Sequence, residues 1–139
     1  MEIFTFKINQ MIRRQFIGSA ALVAIAGIFG FTKQSKEKLL LHHVFFWLKN
    51  PQSEEDKQQL ISGLKTLAAI PRVRQINIGL LASTEKREVV DTSWSVSELL
   101  FFDNEADQKT YQDHPIHQAF VKNYSPLWDK VRVYDAIDI

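Results

Sequence analysis

The sequence predicts an α+β protomer, a four-stranded sheet with its helices packed on one face. Three observations carry this expectation. Four segments either alternate apolar residues with period two or run apolar throughout, and turn-forming residues bound them. Two of the stretches between them open with helix-capping side chains and continue with apolar residues at helical spacing. Their order is β-α-β-β-α-β, the split βαβ arrangement of ferredoxin-like folds.

The first strand is Leu39–Leu48, whose aromatic and β-branched content favours a strand over a helix. Alternation puts Leu41, His43, Phe45 and Trp47 on one face. Leu40, His42, Val44, Phe46 and Leu48 take the other. Both faces are apolar, so both are expected to be buried. Asn50-Pro51 ends the strand. Ser53 then caps a helix with Glu54, Glu55 and Asp56 in its first turn, and Asp56 stands where it can close a capping box. Leu60, Ile61, Leu64, Leu67 and Ala68 give that helix its apolar face, and Pro71 ends it.

The second strand, Val73–Leu81, sets Ile76, Ile78 and Leu80 against Gln75, Asn77 and Gly79. A polar stretch, 82–92, connects it to the third strand, Trp94–Phe102. There Trp94, Val96, Leu100 and Phe102 share one face, with Leu99 and Phe101 on the other. Asp103 or Asn104 caps a second helix that reaches Asp113. Pro115 suits the first turn of a further short helix to Asn123, which Ser125-Pro126 breaks. The last strand is Trp128–Ile137, with Val131, Val133 and Ile137 facing opposite to Tyr134 and Ala136.

Helices on one face leave the other face of such a sheet bare. That face is apolar and needs a second cover. With no further helix expected, the simplest cover is another copy of the sheet. The pattern therefore predicts a homodimer joined through the sheet face, with a barrel-like core.

The chain has 139 residues, enough for one domain. It has no cysteine, which excludes disulfides, a thiol nucleophile, thiolate zinc and a lipid anchor on sulfur. Residues 1–32 are expected to be an export signal or membrane anchor, 33–38 a linker and 39–139 the domain. Arg13-Arg14-Gln15-Phe16 precedes an uncharged run of small and apolar residues to Phe31. Two arginines, a nearby phenylalanine and a weakly hydrophobic run resemble a twin-arginine export signal. The run is short for a membrane span, although an uncleaved anchor over 16–31 is the alternative. Met11 offers a second start just before the arginines. Taking off 1–32 removes Lys7, Arg13, Arg14 and Glu2, leaving 14 basic against 15 acidic residues, a net charge of −1. That balance speaks against a nucleic-acid partner or an anionic membrane surface, so a membrane is met only through the N-terminal segment.

Chemistry concentrates in Tyr111-Gln112-Asp113-His114-Pro115-Ile116-His117. A phenol and two imidazoles within seven residues can polarise a carbonyl and move a proton near neutral pH. The alternative is structural, with His114 capping the helix at Pro115 and His117 packed at the dimer seam. His42 and His43 point to opposite faces of one strand and cannot ligate one metal together. No third ligand stands at fixed spacing, so no metal site is expected. No phosphate loop, nucleophile elbow or calcium loop is present, and no cofactor is expected.

His42–Lys49, Leu100–Asn104 and Tyr111–Phe120 together resemble the stress-responsive A/B barrel (Dabb) family over residues 39–138. The resemblance implies a dimeric α+β barrel of ferredoxin-like protomers. It also implies roles. In a plant polyketide cyclase of that family, a tyrosine and a histidine of this segment serve an aldol condensation without a cofactor, and by position these are Tyr111 and His117. His117 would act as base and Tyr111 as hydrogen-bond donor to the developing enolate. His114 also falls on a histidine of that motif, and His42 matches the histidine that begins the first strand. Phe45, Phe46 and Trp47 are more aromatic than that strand is in many relatives. Ligand contact is expected from His42, His114, Phe45, Trp47 and Trp94. Three functions follow as expectations: a module that binds a small apolar molecule, a cofactor-independent cyclase, lyase or isomerase, and a purely structural dimer.

Overall fold

The structure is a computed structural model and describes residues 38–139. The export signal expected at Arg13, Arg14 and Phe16, and the linker before residue 38, lie outside the described residues. The central strand β1, Leu40–Leu48, buries Leu40, His42, Val44, Phe46 and Leu48 and leaves the alternate residues half-buried. Helix α1, Glu54–Thr66, follows and tightens into a single 3-10 turn at Leu67–Ala69. Then come β2, Gln75–Gly79, and β3, Val96–Phe102. Helices α2, Glu105–Asp113, and α3, Pro115–Tyr124, lead through a 3-10 turn to β4, Trp128–Ile137. The sheet is antiparallel throughout, in the order β2-β3-β1-β4. This is the ferredoxin-like α+β fold.

Local chemistry explains the helix starts. Ser53 caps α1 by accepting from the Asp56 N–H at 3.1 Å, worth ~1 kcal/mol. The expected capping box closes only halfway. The Asp56 carboxylate accepts from the Asn50 side-chain amide at 2.9 Å, and the Ser53 N–H donates to the Asn50 carbonyl instead. Asn104, rather than Asp103, caps α2 through the Asp107 N–H. Leu60, Leu64 and Leu67 are fully buried against the sheet. Ala68, expected on that face, is exposed. Gly63 is buried instead, because a Cβ there would stand 2.7 Å from the Tyr124 ring of α3. The glycine lets the two helices approach closely.

Two strands are shorter than their apolar patterns suggested. The Val73 N–H is taken by the Ile70 carbonyl in a turn, and Leu80 and Leu81 leave the sheet for solvent. Trp94 does not share a face with Val96. The β3 ladder begins at Val96, so alternation does not carry back through residue 95, and Trp94 packs edge-on against Phe45 on the opposite face. That opposite face carries Leu41, Phe45, Trp47, Leu99 and Phe101, all half-buried. The expectation that both faces are buried is met on the helix side alone within the protomer. Strand β4 is exposed along almost its whole length, and only its first residue, Trp128, packs against the core, stacked on Phe120 of α3. Among the described residues no helix is long and apolar enough to cross a membrane.

Candidate functional site

The uncovered flank of β4 leaves a cavity of about 290 Å³ between the sheet and helices α2 and α3. Its walls are mostly apolar, with Val44 and Phe46 from β1, Phe120 from α3, and Trp128, Val131 and Val133 from β4. The titratable groups lie among them: His42 from β1, Glu98 from β3, Tyr111 from α2 and His117 from α3, with Gln112 and Ser125 as further polar residues of the wall.

The kink between α2 and α3 brings Tyr111 and His117 together. In an unbroken helix six residues turn through about 600°, which would leave the two side chains on different faces. His114 precedes a proline and is extended, with φ −69° and ψ 138°. The chain bends there, and the Tyr111 and His117 rings come to 4.6 Å between centroids. His114 itself caps α3, its Nδ1 accepting from the Ile116 N–H at 3.2 Å. It does not line the cavity.

Hydrogen bonding sets the His117 tautomer. Its Nδ1 lies 3.0 Å from the Gln112 carbonyl. A carbonyl only accepts, so Nδ1 carries the hydrogen and Nε2 carries the lone pair. Burial holds the His117 pKa below its ordinary 6.5; the Gln112 carbonyl opposes this, and His42 adds to it. The ring is therefore neutral at pH 7 and presents a basic nitrogen. Tyr111 is 1% exposed, and burial, with the nearby Glu98 carboxyl, pushes its phenol well above the ordinary range. It stays protonated and can only donate or accept as a neutral hydroxyl. His42 pairs across β1 and β4 with Asp135, and its Nδ1 lies 2.6 Å from a carboxylate oxygen. That contact fixes the ring and leaves Nε2 as its second nitrogen.

Glu98 is 2% exposed, and its Oε1 has no hydrogen-bond partner. It lies in the β ladder between Val44 and Ile78, diagonal to His42. Burial pushes its carboxyl up to about 8, so it is protonated at neutral pH.

Of the residues expected at the site, His42, Tyr111 and His117 meet. Glu98 and Asp135 join them without having been expected there. Both were marked by a carboxylate in the apolar phase of a strand, Glu98 between Val96 and Leu100 and Asp135 between Val133 and Ile137. Phe45, Trp47 and Trp94 lie on the other side of the sheet, around a separate 270 Å³ hollow with Tyr134 and Asp91. Trp47 Nε1–H donates there to Ser93 at 2.9 Å, and the Lys130 ammonium sits 4.1 Å above its ring. His43 packs at a tilt against Phe45 on that same face, with its pKa lowered by burial. Two larger hollows, of about 430 and 420 Å³, lie beside Trp94 and beside Ile137, and neither has histidine or tyrosine in its wall. Among the described residues no group of three histidine, aspartate or glutamate side chains is placed to hold a metal ion.

Residues 40–138 match the family described as the stress responsive A/B barrel domain, Dabb. No curated protein matches the chain by sequence. Among solved structures, a Dabb family protein with a ferredoxin-like fold from Mesorhizobium loti is 24% identical. That match covers 73% of this chain and 98% of that one, with a TM-score of 0.60. A dimeric protein of unknown function and ferredoxin-like fold from Bacteroides fragilis is 25% identical over 70% of this chain and 94% of that one, with a TM-score of 0.55. The hydroxynitrile lyase of Passiflora edulis is 21% identical over 75% and 96%, with a TM-score of 0.63. What these structures share with the chain is the fold.

Proposed function

The chain belongs to the stress-responsive A/B barrel (Dabb) family, and on that premise we propose that it binds a small, mostly apolar carbonyl compound and moves a proton on it without a cofactor. One observation carries the proposal. A neutral histidine with its lone pair on Nε2 and a protonated tyrosine stand side by side in an apolar cavity. The His117 Nε2 takes a proton from the carbon next to the carbonyl, and the Tyr111 hydroxyl donates to the oxygen as it becomes an enolate. The proton then returns to carbon or to a leaving group. A base so placed contributes about 10²–10⁴-fold, and the apolar walls strengthen the Tyr111 hydrogen bond by excluding water. His42, oriented by Asp135, offers a second nitrogen within the same cavity. That a hydroxynitrile lyase shares the fold is in keeping with this class of chemistry.

The half-buried face around Phe45, Trp47 and Phe101 is proposed to be covered by a second copy of the chain. Neighbours described as dimeric support this. Residues 1–32 are proposed to direct export, on the strength of Arg13, Arg14 and Phe16.

The test is proton exchange. Small aryl ketones and 1,3-diketones are incubated with the protein in D2O, and loss of the signal from protons next to the carbonyl is followed by NMR. Exchange that is faster than in buffer and lost in His117→Ala supports the proposal. Saturable binding with no exchange of any bound compound refutes the reaction and leaves a binding protein.

A further inference from the structure

We propose that Glu98 is a third catalytic residue of this cavity, a carboxyl that donates a hydrogen bond to the same substrate oxygen as Tyr111. This rests on the proton-transfer reading above and adds to it a group that the reading does not use. Glu98 is almost wholly buried, lines the cavity and has an oxygen with no partner in the protein. Its sheet neighbours on the same face are Val44 and Ile78. A buried carboxyl so placed destabilises the fold, and an apolar side chain would fill the position at less cost. Packing does not account for it, and no lysine or arginine among the described residues lines the cavity to pair with it.

The titratable groups around it are His42 from β1, Tyr111 from α2 and His117 from α3, with Asp135 of β4 behind His42. With its carboxyl held up to about 8, Glu98 keeps its proton at pH 7. A neutral acid in an apolar site is a strong donor to a developing oxyanion. The step balances without any other reactant. The carbon-bound proton passes to His117 Nε2, the C–H electron pair moves into the enolate, and the charge settles on oxygen. The Tyr111 and Glu98 protons remain on their own oxygens, and His117 returns its proton.

The probe is p-nitrophenol, a flat phenol whose absorbance reports whether it is bound as the anion. Purified protein is titrated at pH values from about 6 to 9, and affinity is expressed for the phenolate. Wild type is expected to bind phenolate and to lose affinity as pH rises through about 8, where Glu98 becomes anionic. Glu98→Gln, whose amide is a permanent donor, is expected to bind without that loss. Glu98→Val is expected to bind about 10- to 100-fold more weakly near neutral pH, with no pH step near 8. Three proteins with the same affinity and pH profile would overturn the role of Glu98 while leaving Tyr111 and His117 in place. Wild type that takes up no phenolate, or Tyr111→Phe that binds as well as wild type, would overturn the underlying reading and the inference with it.

Discussion

Glu98→Gln is expected to stabilise the protein relative to wild type by an amount that grows with pH. In the folded protein burial holds this carboxyl at about 8, against 4.5 in the open chain. Between those values the folded state keeps a proton that the unfolded state has released. Stability therefore falls as pH rises, because the folded state binds more protons. The contribution is fully present below pH 4.5 and is lost through pH 8. The gap between the two values, at about 1.36 kcal/mol per pH unit, amounts to ~5 kcal/mol. With Glu98 only 2% exposed, no discount for solvent screening is due. His43 and His117, whose pKa values burial lowers, act in the opposite sense. They are present in both proteins and cancel in the difference. The assay is urea unfolding of both proteins across about pH 4 to 9, followed by tryptophan fluorescence. The difference in unfolding free energy is expected to widen by several kcal/mol, most steeply between pH 5 and 8. Parallel curves would refute the buried, protonated carboxyl.

Other substitutions separate the roles of neighbouring residues. His114→Ala should cost about 0.5–1 kcal/mol by removing the cap on α3, seen as a lower urea midpoint, while leaving nitrophenolate affinity within about twofold. Gly63→Ala gains ~1 kcal/mol of helix propensity but drives a Cβ to 2.7 Å from the Tyr124 ring. A net loss of about 1–2 kcal/mol is expected. In a Tyr124→Ala background the same change should become stabilising, which thermal unfolding of the four proteins of the cycle would read. Replacing Arg13 and Arg14 together by lysine should hold the full chain inside the cell, as fractionation and immunoblotting would detect.

The scaffold was legible because the strands obey strict alternation. Leu40 to Leu48 could be sorted into faces by eye, and the structure buries the even-numbered set. The third strand misled at its start, where a pattern read back to Trp94 crossed a point at which the ladder had not yet begun. No count of apolar residues reveals where pairing starts. The partnership of Tyr111 and His117 was open in the sequence, since it depends on the bend that His114-Pro115 imposes. Glu98 and Asp135 could have been found by asking which polar residues occupy apolar phases of a strand. Asp135 reaches a partner in His42, whereas Glu98 has none for Oε1. The aromatic residues Phe45, Trp47 and Trp94 attracted attention by size, but they occupy the face away from the histidine cluster. Size reports burial or an interface, and only the sheet register assigns it to a cavity.

The most direct test of the proposed chemistry needs no substrate. Nitrogen-15 NMR of the imidazole rings, with the His117 signals assigned by their loss in His117→Ala, reads both charge and tautomer. A neutral ring at pH 7 with its hydrogen on Nδ1, titrating below the ordinary 6.5, is expected. A ring that is cationic at pH 7, or one carrying its hydrogen on Nε2, would leave no basic nitrogen for the cavity and would contradict the proposed function at its root.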